Sequence, residues 1–374
     1  MIVVLDWVVL TAWLLSLATT IVNLRVLPRL RRDAPAGGPL VSILIPARNE
    51  EAAIERTVRA FLAQTHRALE VIVVDDRSTD ATGAILSRIA DPRLRVITGD
   101  EPPAGWLGKP WALHQGSLLA RGQYLLFVDA DIVYEPAAVA AAMRETSNFD
   151  GMLSILPHIE MRGFWENVAM PMLALTAFTF LPAWLSNRTR YAILAFGGGT
   201  GNLISRRDYD AVGGHEALRD AVVDDVALAR LMRRSGRRSF LIRAEDLVSV
   251  RMYRGGGEVV AGFTKNVFAV FGRSYVSVLL FILLGAAFHV YPYAAAVTGN
   301  AIAIATVAAI TVTRLILFVA LRYNILAAAA AHPLMVLMWA WIALRSMWKT
   351  GVRRQLAWRG RVYDASGTRF GADR

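Results

Sequence analysis

The chain places acids where a strand stops. Tyr124-Leu125-Leu126-Phe127-Val128 is an apolar run that leads straight into Asp129-Ala130-Asp131. A run without polar alternation reads as a strand buried on both faces. Side chains two residues apart in an extended segment point the same way, so Asp129 and Asp131 are expected to leave the strand end together. Two converging carboxylates repel unless a cation lies between them. A hard divalent cation, which takes oxygen ligands and keeps positions open for phosphate, is the occupant this pattern suggests. The competing reading is a strand that ends in a solvated Asp turn.

Other segments carry groups of the same kind. The run Glu70-Val71-Ile72-Val73-Val74 ends in Asp75-Asp76-Arg77-Ser78-Thr79-Asp80. Lys109 stands where a Gly/Pro loop becomes a helix at about Pro110. A lysine there could meet a phosphate, aided by the helix N-terminus, or simply be solvated. Asp224-Asp225 opens an apolar helix, where capping alone also accounts for an acid. Phe196-Gly197-Gly198-Gly199-Thr200-Gly201-Asn202 could let a substrate approach the backbone, or be a flexible turn.

The elements that must position these groups alternate. Residues 40–46, 70–74 and 94–98 read as strands, and residues 52–65 have helical spacing. Strands alternating with helices imply an α/β domain with parallel pairing and right-handed crossovers. In such sheets ligands bind beyond the carboxyl ends of the strands. Asp75, Asp76, Asp129 and Asp131 all fall there, which points to one site.

Composition adds a membrane. The chain has 374 residues, 55% of them apolar and 19% charged, with a net charge of +11 and a mean hydropathy of +0.41. That is too apolar for an ordinary soluble enzyme. Residues 2–24 are long enough to span a bilayer, which takes roughly 20 residues. Arg25, Arg29, Arg31 and Arg32 follow them. A cleavable signal peptide has its charges before the apolar run, so this is a retained anchor, with the chain after Arg25 cytoplasmic. Residues 33–39 are a linker, and residues 40–266 the cytoplasmic domain. Residues 166–184, with Trp165, Trp184, Pro171 and Pro182, suggest a helix lying in the interface. Residues 274–346 hold further apolar segments: spanning candidates at 274–291 and 294–312 that turn at Tyr291-Pro292-Tyr293, a third candidate at 325–344, and a short interfacial piece between Arg314 and Arg322. Three full crossings would put the basic tail outside, whereas two crossings plus a re-entrant or interfacial segment keep it inside, which the charge rule favours. The basic tail, 347–374, is expected inside. Basic residues border apolar segments instead of forming a stripe with interleaved aromatics, which argues against nucleic acid. The absence of cysteine excludes disulfides, thiolate metal sites and Cys nucleophiles.

Taken together, these segments resemble the family-2 glycosyltransferases, inverting enzymes with the GT-A nucleotide-sugar fold. The resemblance runs from about Val41 to Asn266. It rests on Val41-Ser42-Ile43-Leu44-Ile45-Pro46-Ala47-Arg48-Asn49-Glu50 as opening strand and turn, and on Val73-Val74-Asp75-Asp76 as the nucleotide-binding acid segment. Gly108-Lys109 with Ala112-Leu113, then Asp129-Ala130-Asp131, and Asp224-Asp225 in place of the usual Glu-Asp, complete it. The resemblance implies a nucleotide diphosphate sugar donor held by Pro46, Arg48, Glu50, Asp75, Asp76, Lys109 and Asp129. It implies Mg2+ or Mn2+ on Asp131 and Asp129, and catalysis by Asp225 with Asp224 beside it. Processive members carry a Gln/Arg-x-x-Arg-Trp signature. Here Arg251-Met252-Tyr253-Arg254-Gly255 has no Trp, which implies transfer of a single sugar. The segment from Gly105 to Ala112 and Trp358-Arg359-Gly360-Arg361-Val362-Tyr363 are most similar to bacterial hopanoid- and carotenoid-associated members. That implies a lipid acceptor, in the plasma membrane.

Overall fold

The computed structural model describes residues 2–33, 37–147, 150–358 and 361–364. Part of the expected linker and the end of the basic tail lie outside the described residues. The chain forms two compact units.

One unit comprises Pro28–Glu160 and Leu185–Met252. Its strands are β1 (Val41–Ala47), β2 (Leu69–Asp75), β3 (Leu94–Thr98), β4 (Tyr124–Phe127), β5 (Ile132–Tyr134), β6 (Gly151–Leu156), β7 (His158–Ile159), β8 (Asn202–Ser205), β9 (Arg238–Arg243) and β10 (Val248–Val250). Seven of them make one sheet in the order β3-β2-β1-β4-β8-β6-β9, and β5-β10-β7 make a second. Every residue of β1 is buried, as its unbroken apolar run requires, whereas β3 at the edge is largely exposed. Leu44, Ile72, Val74, Leu125 and Phe127 from the sheet pack against Ala112 and Leu113 of the helix Gly108–Leu119. Ala227, Leu228 and Met232 of the helix Asp224–Arg234 belong to the same core. The helix expected over 52–65 is shorter, Ile54–Leu62, and buries Ile54, Val58 and Phe61.

β1 to β4 pair in parallel as expected. β8 does not. It runs antiparallel between β4 and β6. Its first residue, Asn202, therefore lies opposite Phe127, the last residue of β4. The reversal delivers the glycine-rich stretch to the end of β4 from which Asp129 leaves. No periodicity in the sequence marks a strand's direction, which is why alternation alone suggested a parallel neighbour.

The other unit is helical. It includes Met161–Trp184, the helix Ile2–Val26 and the described chain from Tyr253 to Asp364. Among the described residues three helices are long and apolar enough to cross a membrane: Val3–Val26, Tyr275–Val297 and Ala301–Leu321. The break between the last two differs from expectation. Tyr291-Pro292-Tyr293 is helical, because Pro292 falls in the first turn of a segment that follows a π-turn over Ala286–Val290. The real break is Gly299, with φ of 82°, and Asn300, whose Oδ1 accepts from the amides of Ile302 (3.0 Å) and Ala303 (3.1 Å). Arg314 does not end a helix. It lies within Ala301–Leu321, fully buried, and contacts His332 Nδ1 (3.2 Å) and the Ala327 carbonyl (3.1 Å). The apolar segment expected over 325–344 is divided into Ile325–Ala330 and His332–Ser346, with Pro333 opening the second helix.

The proline-interrupted stretch forms helices Phe164–Ala169 and Pro171–Leu175, then a π-turn to Phe180. The buried side chain of Asn23 donates to the carbonyls of Phe178 (2.9 Å) and Leu181 (2.8 Å), groups freed where the helix ends before Pro182. Gln355–Trp358 (β11) and Arg361–Asp364 (β12) pair antiparallel.

Candidate active site

The ends of β1 and β2 interlock. Asn49 and Arg77 both adopt left-handed backbone, φ 54° and 56°. Asn49 Oδ1 accepts from the Thr79 amide (2.8 Å), and the Asn49 amide donates to Ser78 Oγ (3.0 Å). The Glu50 amide donates to Thr82 Oγ1 (2.8 Å), so the turn after β1 is laced to the turn after β2. Arg48 donates to the Asp76 carbonyl and lies 3.8 Å from Asp76 Oδ2. Asp76 is 2% exposed. Asp75, half-buried, accepts from the Ser78 amide through Oδ1 (2.9 Å). Pro46 is buried in β1 beyond the last residue that pairs with β4, where a missing N–H leaves no gap in that ladder. Pro46, Arg48, Glu50, Asp75 and Asp76 thus belong to one constructed corner.

A second group forms beside it. β4 stops at Phe127, and the Asp129 amide donates to the Gly199 carbonyl (2.7 Å). Lys109 Nζ lies 2.8 Å from Asp129 Oδ1 and 3.1 Å from Asp224 Oδ1. One ammonium therefore joins the acid after β4 to the acid that opens the helix Asp224–Arg234. Asp224 has 7% of its side chain exposed and Asp129 41%, so only Asp129 remains open to a ligand. Asp131 is half-buried on the turn into β5. The expectation that both Asp129 and Asp131 continue a strand is modified: they stand on a turn, and Asp129 is the one drawn to Lys109.

The electrostatics divide the Asp224-Asp225 pair. Burial raises both carboxyls. For Asp224 the Lys109 ammonium and His215 overcome burial and hold it well below the ordinary carboxylate range. For Asp225 burial, with the charges of Asp224 and Asp129, outweighs Lys109 and the amide of Val226, and pushes it up to about 6. Asp225 Oδ1 accepts from that amide at 2.7 Å. Burial alone would lower Lys109, but Asp129, Asp224 and Asp225 keep its ammonium well above the ordinary value.

His215 is a residue of this site that the sequence reading did not single out. It is 1% exposed, with Nε2 3.9 Å from Asp224 Oδ2. Tyr209 Oη accepts from the His215 amide (3.0 Å) and lies 2.8 Å from Nδ1. Burial pushes the Tyr209 hydroxyl up to about 12, so it keeps its proton beside Nδ1. Nε2, on the other side of the ring, faces Asp224. Burial lowers His215, which keeps the ring neutral. The Gly213-Gly214-His215 run before the acids was the available signal, without a geometry to interpret it.

The glycine run is neither loose nor open. A Cβ at Gly199 would collide with the Asp129 carboxylate, and one at Gly197 with the backbone of Asp225. Both acids are packed against bare backbone, and this is the close approach that the glycines allow.

Among the described residues no group of three or more Asp, Glu and His side chains could enclose a metal ion. Asp129 and Asp131 offer two hard carboxylates. That number suits Mg2+ or Mn2+ completed by substrate phosphates and water, so the donor set fits an ion that arrives with a diphosphate.

Residues 42–212 match the family described as glycosyl transferase family 2. A 4,4'-diaponeurosporenoate glycosyltransferase of Staphylococcus haemolyticus is 26% identical over 65% of this chain and 65% of its own length. The protein of that name from Staphylococcus aureus strain USA300 is 24% identical over 87% of this chain and 88% of its own. Among solved structures, a mannosyltransferase from Pyrobaculum calidifontis, in complex with GDP-Man and Mn2+, superposes with a TM-score of 0.57 at 19% identity. The match covers 94% of this chain and 97% of that one, and shows a shared GT-A architecture.

Proposed function

We propose that this chain, which carries a family-2 glycosyltransferase domain over residues 42–212, moves one sugar from a nucleotide diphosphate donor, a UDP-sugar, to a membrane-lipid hydroxyl with inversion at the anomeric carbon. The observation that carries the reading is the division of Asp224 from Asp225. Asp224 is committed to Lys109, and Asp225 is left as an acid poised near neutral pH, which suits a general base.

In this reading Asp75, with Pro46, Arg48 and Glu50, receives the nucleoside. Arg48 holds Asp76 and so fixes the turn that presents Asp75. Asp129 and Asp131 would hold Mg2+ or Mn2+, which when bound supplies positive charge for the departing diphosphate. Lys109 offers its ammonium to the same phosphates. Asp225 takes the proton from the acceptor hydroxyl as that oxygen attacks. His215, oriented by Tyr209, keeps Asp224 ionised and in place against Lys109. The relatives' carotenoid name favours an extended apolar acceptor. The missing Trp at Arg254-Gly255 favours a single transfer over polymerisation.

Three apolar helices among the described residues suggest membrane association. Arg25 at the end of the first, with Arg29, Arg31 and Arg32 after it, supports a plasma-membrane protein whose catalytic unit is cytoplasmic. Arg95→Cys, on the exposed edge strand β3, should resist an impermeant thiol reagent on intact cells. Labelling there would reverse the orientation.

The function is tested with the purified full chain in lipid extract and labelled UDP-sugars, reading the mass of the product lipid. Transfer that stops with EDTA and returns with Mn2+ or Mg2+ is expected. Full turnover in excess EDTA would remove the metal, and a growing sugar chain would overturn single transfer.

A further inference from the structure

Residues 187–194 form a loop whose construction and surface chemistry do not match an ordinary connection. Its base is stapled. Ser186 Oγ donates to the Leu194 carbonyl (2.7 Å), and Asn187 exchanges hydrogen bonds with both the amide and the carbonyl of Leu241 (2.8 Å each). Arg233, 3% exposed, donates from Nη1 to the Tyr191 carbonyl (2.9 Å). Its Nη2 reaches the carbonyl (3.0 Å) and hydroxyl (2.8 Å) of Ser186, and its Nε the hydroxyl of Ser239 (2.7 Å). Burying a guanidinium is costly unless its donors are satisfied, and here they are divided between this loop and its base, at Ser186 and Tyr191, and Ser239 of β9.

What the staple holds out is apolar. Ile193 is 82% exposed and Tyr191 67%. A single exposed apolar side chain needs no explanation. Two within three residues, on a rigid base, with Arg188 and Arg190 exposed beside them, form a different pattern. An aromatic and an aliphatic side chain flanked by arginines suit the boundary between lipid headgroups and acyl chains, where the rings and alkyl groups insert and the guanidiniums meet phosphate. Beyond Leu194 the chain runs directly into Gly197 and Gly199, which pack on Asp225 and Asp129.

We propose that residues 187–194 are a membrane-docking loop that seats Tyr191 and Ile193 in the surface of an anionic bilayer, with Arg188 and Arg190 on lipid phosphates. This contact is independent of the donor chemistry, and it brings a lipid surface to the loop that feeds the glycine run. A disordered loop with the same residues would lose backbone entropy on docking. The Arg233 staple removes most of that loss beforehand.

The chain lacks cysteine, so one introduced thiol is labelled alone. Ile193→Cys and, separately, Tyr191→Cys are coupled to an environment-sensitive fluorophore in the full chain. The labelled proteins are placed in nanodiscs of phosphatidylglycerol or of phosphatidylcholine, and quenched by lipids brominated near the headgroup. Both labels should be blue-shifted and quenched in phosphatidylglycerol, whereas a label on Arg95→Cys stays water-like. Adding Arg188→Glu and Arg190→Glu should reduce the quenching in phosphatidylglycerol at least about twofold, because each reversal replaces attraction to the anionic surface with repulsion. Emission at 191 and 193 equal to that at 95 would overturn the proposal. So would shielding from aqueous iodide without quenching by brominated lipid, which would mean that a protein partner covers the loop. Charge reversal without effect would overturn the role of the arginines.

Discussion

The protein contains two pairs of neighbouring aspartates, Asp75-Asp76 and Asp224-Asp225, and it treats them differently. In each pair one acid is buried against a cation: Asp76 against Arg48 at 3.8 Å, Asp224 against Lys109 at 3.1 Å. In each, the other accepts a backbone amide, from Ser78 or from Val226. The local plans are alike. The difference comes from what else is near. Asp75 ends β2, at a turn laced by neutral side chains and amides. Asp225 shares its surroundings with Asp224 and Asp129, and the Lys109 ammonium is divided among the three. An acid outnumbered in this way holds its proton up to a higher pH. The same dipeptide is thus placed in two different electrostatic settings, which is why the proposed roles differ: a binding corner for Asp75-Asp76 and a base for Asp225.

Breaking the second pair should have the larger effect. Asp225→Asn should lower turnover by roughly 10²- to 10⁴-fold, as expected for loss of a general base. Donor binding should change little, and turnover with UDP-sugar binding on the same protein checks both. Asp75→Asn should do the reverse, weakening donor binding more than turnover. An active Asp225→Asn enzyme would move the reading to an acceptor that is already anionic and needs no base.

The next effect is one of pH. Because the base works only when deprotonated, kcat/KM should fall about tenfold per unit as pH drops below about 6. An ordinary Asp, at 3.8, would leave the rate flat down to about pH 4. A profile without the upper edge would break the comparison.

The smallest effect is on stability, and its signs should be opposite. Asp225 is raised when folded, so the folded state binds its proton more tightly than the unfolded chain. Stability is then lost as pH climbs from 3.8 towards 6. Removing the charge with Asp225→Asn should therefore stabilise the protein above pH 6, by about 1 kcal/mol or more. Asp76→Asn leaves the half-buried Arg48 without its carboxylate and should destabilise by about 1–3 kcal/mol. Thermal unfolding of both variants in detergent at pH 7.5 reads the signs directly.

The sequence made some of this legible and not the rest. Asp75, Asp76 and Asp129 could be placed at strand ends because apolar runs end abruptly in acids, and burial on both faces forces such runs. The bond from Lys109 to both Asp129 and Asp224 could not be read, since the three residues are distant in the chain and only the sheet order brings them together. The reversed β8 was hidden for a similar reason: pairing direction leaves no periodic trace. Pro292 was taken for a turn because proline usually breaks helices, but it falls in the first turn of a helical segment, where a missing N–H is tolerated, and Gly299-Asn300 breaks the chain instead. Arg314 was placed at a helix end because charge usually flanks an apolar segment. His332 and the Ala327 carbonyl, which receive it inside, follow later in the chain.

Gly199 sits with its bare Cα against the Asp129 carboxylate. A single methyl group there would push that carboxylate off Lys109 without adding charge or altering a buried core residue. If Asp129 has the role proposed for it, Gly199→Ala should therefore silence the protein while keeping it in its place. In a living cell such a chain would still be made, inserted and counted, and would still occupy whatever neighbours it has. Exchanging it for the natural chain would separate what the cell owes to the protein's presence from what it owes to the product, at the level of one carbon atom.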